Sequence, residues 1–82
     1  MDTKISGALV CYNEEAVIER TIINMNKFCD EIVVFDSFST DGTMDILKKY
    51  DCKIHQHEFD NHRDQKNRAI EKCENEWVFL SV

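Results

Sequence analysis

The chain has 82 residues, 43% of them apolar, and a formal net charge of −6. That length holds one small domain, and that apolar share is too high for a disordered chain. The acidic balance argues against non-specific nucleic-acid binding, and no run approaches the roughly 20 apolar residues of a membrane span. The N-terminus lacks a basic start, a long apolar stretch and a small-residue cleavage site, so no signal peptide is read and a cytoplasmic location is expected. Four cysteines, at 11, 29, 52 and 73, form no CxxC pair and are expected to be reduced thiols in or near the core.

Lys4 to Cys11 reads as a first strand, although Gly7 and Ala8 weaken it. Glu15 to about Lys27 reads as a helix, with Val17, Ile18, Ile22, Met25 and Phe28 on one face and Glu14 and Glu15 at its electropositive end. Glu31 to Asp36 is a second strand, whose unbroken Ile-Val-Val-Phe implies burial on both faces. Ser39 or Thr40 is placed to cap a helix over Asp41 to Tyr50, with Met44, Leu47 and Tyr50 inward and Ile46 beside them. Cys52 to His57 is a short third strand, followed by a polar stretch from Glu58 to Asp64. Gln65 to Glu74 reads as a helix with Ala69, Ile70 and Cys73 inward, and Trp77 to Val82 as a fourth strand. This β-α-β-α-β-α-β order predicts an α/β fold, a Rossmann-like parallel sheet with helices on both faces.

In such a sheet the strand-to-helix loops share the edge at the strands' carboxyl ends, where ligands bind. The polar residues collect there: Asn13 to Glu15, Asp36 to Asp41, and His57 to Arg63. The opposite edge reads as plainer. Asp36 at a strand end is suited to accept a hydrogen bond from a planar ligand N–H, with Ser37 and the following hydroxyls and backbone amides as donors. It is equally suited to cap its own loop, and the pattern alone leaves both readings open. Cys52, His55, His57 and His62 lack the spacing of a zinc site. Trp77 reads as a core or sheet-end residue.

Three blocks, "ISGALVCYNEEAVIERTI", "DEIVVFDSFSTDGTMDIL" and "HRDQKNRAIEKCENEWVFL", resemble in order and spacing the N-terminal half of a family 2 glycosyltransferase. The branch most like it acts on lipopolysaccharide cores and related cell-surface glycans. The resemblance implies a GT-A fold, a nucleotide-sugar donor (commonly UDP-linked) and a cell-surface glycan or lipid acceptor. Asp36 corresponds to the residue that recognises the nucleotide base, often uracil. Tyr12, Asn13 and Glu14 line the same pocket, Ser37 follows Asp36 in the motif, and Asp41 shapes the loop and opens the helix. Lys66, or nearby Arg63, approaches the base or the diphosphate. Position 38, often Gly in the family, is Phe38 here.

A larger departure lies at the C-terminus. The family carries an Asp-x-Asp motif after the fourth strand that holds Mg or Mn against the diphosphate. Ser81 and Val82 stand there in this sequence, and no catalytic base is identifiable. The expectation is therefore the nucleotide-binding part of a truncated GT-A domain, inactive alone, belonging to a parent peripheral to the inner membrane face. The alternative is a non-catalytic α/β nucleotide-binding or interaction module. With the family's strand order, 3-2-1-4, the fourth strand is an apolar edge and invites self-association.

Overall fold

The computed structural model describes residues 3–81. Its strands are β1 (Ile5–Cys11), β2 (Glu31–Asp36), β3 (Lys53–Gln56) and β4 (Trp77–Leu80), and its helices are α1 (Ile18–Asn26), α2 (Thr43–Leu47) and α3 (His62–Glu71). All strand pairs are parallel, and the sheet order is β3-β2-β1-β4. The fold class, the alternation and the strand order all agree with the reading of the sequence.

The core divides by strand alternation. Leu9, Cys11, Ile32 and Val34 point to one face and pack with Ile18, Ile22 and Met25 of α1 and Leu47 of α2. Ala8, Val33 and Phe35 point to the other and meet Ala69 of α3. Both faces of β2 are therefore buried, as its continuous apolar run requires. A Cβ at Gly7 would stand 2.5 Å from the Met25 terminal methyl, so the missing side chain lets the end of α1 lie against β1.

Several boundaries differ from those read in the sequence, each for a local reason. α1 begins at Ile18 rather than Glu15, because the Glu14 carbonyl accepts from both Val17 and Ile18 N–H and residues 15–17 close as a turn. Val17 and Phe28 leave its apolar face and are half-exposed. Neither Ser39 nor Thr40 caps α2. Gly42 holds the cap position without a side-chain bond, and the Asp41 carboxylate takes the Thr43 N–H instead. α2 stops at Leu47, where the bonds of Lys49 to Ile46 and of Tyr50 to Leu47 tighten the chain to three-residue closures. β3 is confined to its four paired residues, leaving Cys52 and His57 outside the strand.

α3 starts at His62, three residues before the expected Gln65, because Asn61 accepts the Asp64 N–H at 2.8 Å and caps it. It ends at Glu71 rather than Glu74, since the Glu74 and Asn75 N–H groups are drawn to Glu31 and Ser6. Its inward residues are Gln65 and Ala69, with Ile70 outward. Trp77, expected in the core or at the sheet end, is 65% exposed at the start of β4. Val82 lies outside the described residues.

The edge at the amino ends of the strands is less plain than its sequence suggested. Glu31 accepts from the Ser6 hydroxyl at 2.5 Å, the Glu74 N–H at 2.6 Å and the Lys53 ammonium at 2.9 Å. One side chain thus joins β1, β2, β3 and the turn into β4. Burial acts to raise its pKa, but the bonds from Ser6, Lys53 and Glu74 outweigh it and lower the value to about 2. A carboxyl that titrates lower in the folded chain stabilises fully above its unfolded pKa and loses that contribution as pH falls. The unfolding temperature should therefore drop between pH 4.5 and about 2, and Glu31→Gln should flatten that drop; thermal melts across this range test it.

Candidate functional site

Strand order reverses between β1 and β4, and a cleft of about 480 Å³ opens at the carboxyl ends there. Val10, Cys11, Tyr12 and Glu14 line it from β1 and its loop, Ser37 from the end of β2, and Ser81 from the end of β4. Phe59, His62 and Lys66 close it from the loop before α3 and from α3 itself. A recess of about 300 Å³ shares Tyr12, Ser37, Phe59 and His62. His62 and Lys66, four residues apart, stand one helical turn apart on the same side of α3.

Asp36 is fully buried at the carboxyl end of β2, behind the cleft lining. Its Oδ2 accepts from the Ser39 N–H at 2.8 Å and Gln56 Nε2 at 3.2 Å. Its Oδ1 accepts from the Ser39 hydroxyl and from Cys11 Sγ at 3.4 Å. Burial, then the Asp36 charge, push the Cys11 thiol far up, so it stays protonated.

The two loops that flank the cleft are laced together. Asn13 sits in the left-handed region at φ 48°, which Asn tolerates. From there its Oδ1 accepts from the Thr40 N–H at 2.7 Å and the Asp41 N–H at 3.3 Å, and its own N–H donates to the Ser39 hydroxyl at 2.8 Å. The Glu14 N–H donates to the Thr43 hydroxyl at 2.9 Å and the Glu15 N–H to Asp41 Oδ2 at 3.2 Å. The Glu15 carboxylate returns to the Gly42 N–H, an approach that only a residue without a Cβ permits. The Thr43 hydroxyl and neighbouring amides hold the Asp41 carboxyl below the usual range. Phe38 follows at φ 58°, in the conformation that favours the family's Gly.

Of the residues expected at the site, Tyr12, Glu14, Ser37 and Lys66 come together around the cleft. Asn13, Asp36 and Asp41 stand behind its lining, each bonded within the chain. Arg63 is 84% exposed beside Asp64 and away from the cleft. Three residues were given no role at this site in the reading of the sequence. Phe59 was hidden in a polar stretch, and His62 lay outside the helix as first bounded. Gln65 is fully buried, reaching Ser37 and the His57 carbonyl. Asn61 was the available signal, since an Asn cap there starts α3 at His62 and aligns His62 with Lys66. Among the described residues no three His, Cys, Asp or Glu gather to hold a metal ion. His55 instead stacks on Phe35, and Cys52 donates to the Leu47 carbonyl. No described helix is long and apolar enough to cross a membrane.

An open parallel sheet with helices on both faces and a cleft at its switch point defines a Rossmann-like α/β domain. The chain belongs to glycosyl transferase family 2, whose family model matches residues 6–81. An uncharacterized glycosyltransferase of Rickettsia typhi is 37% identical over 75 residues, covering 92% of this chain and 26% of the relative. The lipopolysaccharide core biosynthesis glycosyltransferase LpsC of Rhizobium meliloti is 32% identical over 80 residues, covering 92% and 29%. The chain thus spans about a quarter of the length of these relatives. Among solved structures, glucosyl-3-phosphoglycerate synthase of Mycobacterium tuberculosis, in complex with Mn2+, UDP and glucosyl-3-phosphoglycerate, superposes with a TM-score of 0.82. It is 23% identical, over 96% of this chain and 33% of that one, and its likeness establishes the GT-A type of fold.

The lacing predicts a separable pair of effects at position 13. Asn13→Ala should lower stability by about 2 kcal/mol, through lost loop bonds and a left-handed residue that Ala resists. Asn13→Gly should cost about 1 kcal/mol less, because Gly adopts that backbone freely. Denaturant unfolding of both variants measures the split.

Proposed function

We propose that residues 1–82 are the sugar-nucleotide-binding part of a GT-A glycosyltransferase domain. On this reading the whole protein transfers a sugar from a nucleotide donor, UDP-linked by preference, to a cell-surface glycan or lipid acceptor. The observation that carries the proposal is the cleft at the switch point, with aromatic and hydroxyl groups at one end and Lys66 within it. The solved relative that holds UDP and Mn2+ and the similarity to a lipopolysaccharide-core enzyme support the ligand class and the acceptor class. Work at the inner, cytoplasmic face of the membrane goes with such an acceptor.

Tyr12, Ser37, Phe59 and His62 take the base, and Lys66 meets the diphosphate as a charge-assisted donor. Asn13, Asp36 and Asp41 act from behind, by fixing the loops. A base N–H reaching Asp36 directly has to displace one of its present donors, Ser39 or Gln56. Departure of a nucleoside diphosphate needs cationic stabilisation, and the acceptor needs a base. The described residues do not fit a divalent metal: the cleft is lined by one carboxylate, Glu14. What these residues do in the reaction is bind and orient the donor.

Titration calorimetry with UDP should give saturable binding, weakened roughly tenfold or more by Lys66→Ala. Absence of heat with UDP, CDP, GDP and ADP alike would leave the interaction-module reading in its place.

Self-association is the remaining part of the proposal. β4 is a sheet edge, and Trp77, Phe79 and Leu80 are exposed along it. Phe28, packed on Phe79 at 4.9 Å, lines with Trp77 and Phe79 an apolar groove of about 400 Å³. The unpaired backbone of such an edge accepts another strand, and a second copy supplies one in the isolated chain. Sedimentation of the 82-residue chain should show concentration-dependent dimers that Trp77→Lys removes; a monomer at every concentration overturns it.

A further inference from the structure

We infer that Ser37 meets the ligand as a hydrogen-bond donor, that Gln65 fixes this polarity, and that together they select a ring bearing a carbonyl oxygen over one bearing an amino group there. The inference rests on the nucleotide-binding reading and deepens it.

The Gln65 amide is fully buried and all its near partners are of known polarity but one. Its Nε2 lies 3.0 Å from the His57 carbonyl oxygen, which only accepts. Its Oε1 lies 2.6 Å from Arg68 Nη1, which only donates. Turning the amide over would set oxygen against oxygen and N–H against N–H, so the orientation is determined. The remaining Nε2 hydrogen then falls to Ser37 Oγ at 3.1 Å, and Ser37 must accept it. Arg68 is itself held by Asp60, so the arrangement is braced from outside the cleft.

A serine hydroxyl has one hydrogen. With Oγ accepting from Gln65, and no described residue taking the Ser37 hydrogen, that hydrogen is left for a group in the cleft. Ser37 lies in the recess walled by Tyr12, Phe59 and His62, which suits a planar ring, whereas Lys66 belongs to the wider cleft, where a phosphate is better matched. A ring carbonyl beside Ser37 completes the bond, and a ring amino group there sets donor against donor.

Uracil and cytosine differ at ring position 4 by this exchange of carbonyl oxygen for amino group, so UDP and CDP are the probes. Calorimetry on the full chain should show UDP preferred over CDP by roughly tenfold. Ser37→Ala should weaken UDP and bring the ratio towards one. It leaves the Gln65 bond to His57 in place, so the fold is kept, which a thermal melt checks. Gln65→Glu offers Ser37 an acceptor, turns its hydroxyl around and should shift the preference towards CDP, an effect that loss of structure alone does not produce. Should that variant not fold, Ser37→Ala decides. Equal wild-type affinities, or a Ser37→Ala ratio unchanged from wild type, overturn the inference while nucleotide binding stands. A wild-type chain that binds neither nucleotide overturns the binding reading, and this inference with it.

Discussion

A carboxylate removed from water costs several kcal/mol unless its oxygens are met by donors. Among the described residues Asp36 is the one buried charged side chain, and the upper half of the molecule is arranged around satisfying it. Its donors come from three places: Cys11 at the end of β1, Ser39 in the loop after β2, and Gln56 at the end of β3. No lysine or arginine is among them. The charge is held by dipoles, and each dipole belongs to a different strand end or loop. Satisfying one side chain therefore fixes the relative positions of three strand termini, and with them the floor of the cleft.

The flanking loops extend the same logic outward. Ser39, once bonded to Asp36, accepts from Asn13 N–H, which carries the constraint from the β2 loop to the β1 loop. Asn13 answers with its side chain on Thr40 and Asp41, and Asp41 passes it to Thr43 and Glu15. Two residues in left-handed conformations, Asn13 and Phe38, mark where the backbone bends to make these closures. Backbone strain is concentrated beside the cleft and repaid by hydrogen bonds that tie its walls.

What the sequence disclosed followed how local each determinant is. The run from Ile32 to Phe35 declared a strand buried on both faces, and alternation with helical segments gave the parallel sheet, while its strand order came only with the family resemblance. Tyr12, Glu14, Ser37 and Lys66 were picked out by resemblance to family motifs, and the fold brings these four to one cleft, with Asp36 behind it. The reach of α3 was missed because a single cap, Asn61, decides it against a polar background. The burial of Gln65 was not legible: a glutamine on a helix is ordinarily solvated, and its burial depends on Ser37 and His57, which reach it only through the tertiary fold. The Glu31 cluster was missed for the same reason, its three partners lying in three separate segments.

The backbone amides are where local reading misled most. A loop of hydroxyls opening a helix suggested backbone N–H groups free to donate to a ligand. In the fold the amides of Asn13, Glu14, Glu15, Ser39, Thr40, Asp41, Gly42 and Thr43 are all consumed internally. The N-termini of α1 and α2 have little left to give a phosphate. At long range a chain of net charge −6 repels an anionic ligand. Attraction has to come at short range from a cation that the cleft leaves unspent, Lys66 of α3, which lines the cleft with Ser37, whose free hydrogen depends on Gln65 of the same helix. α3 is thus the helix on which recognition turns, and the β1 and β2 loops, for all their conspicuous motif residues, serve as the rigid wall against which it works.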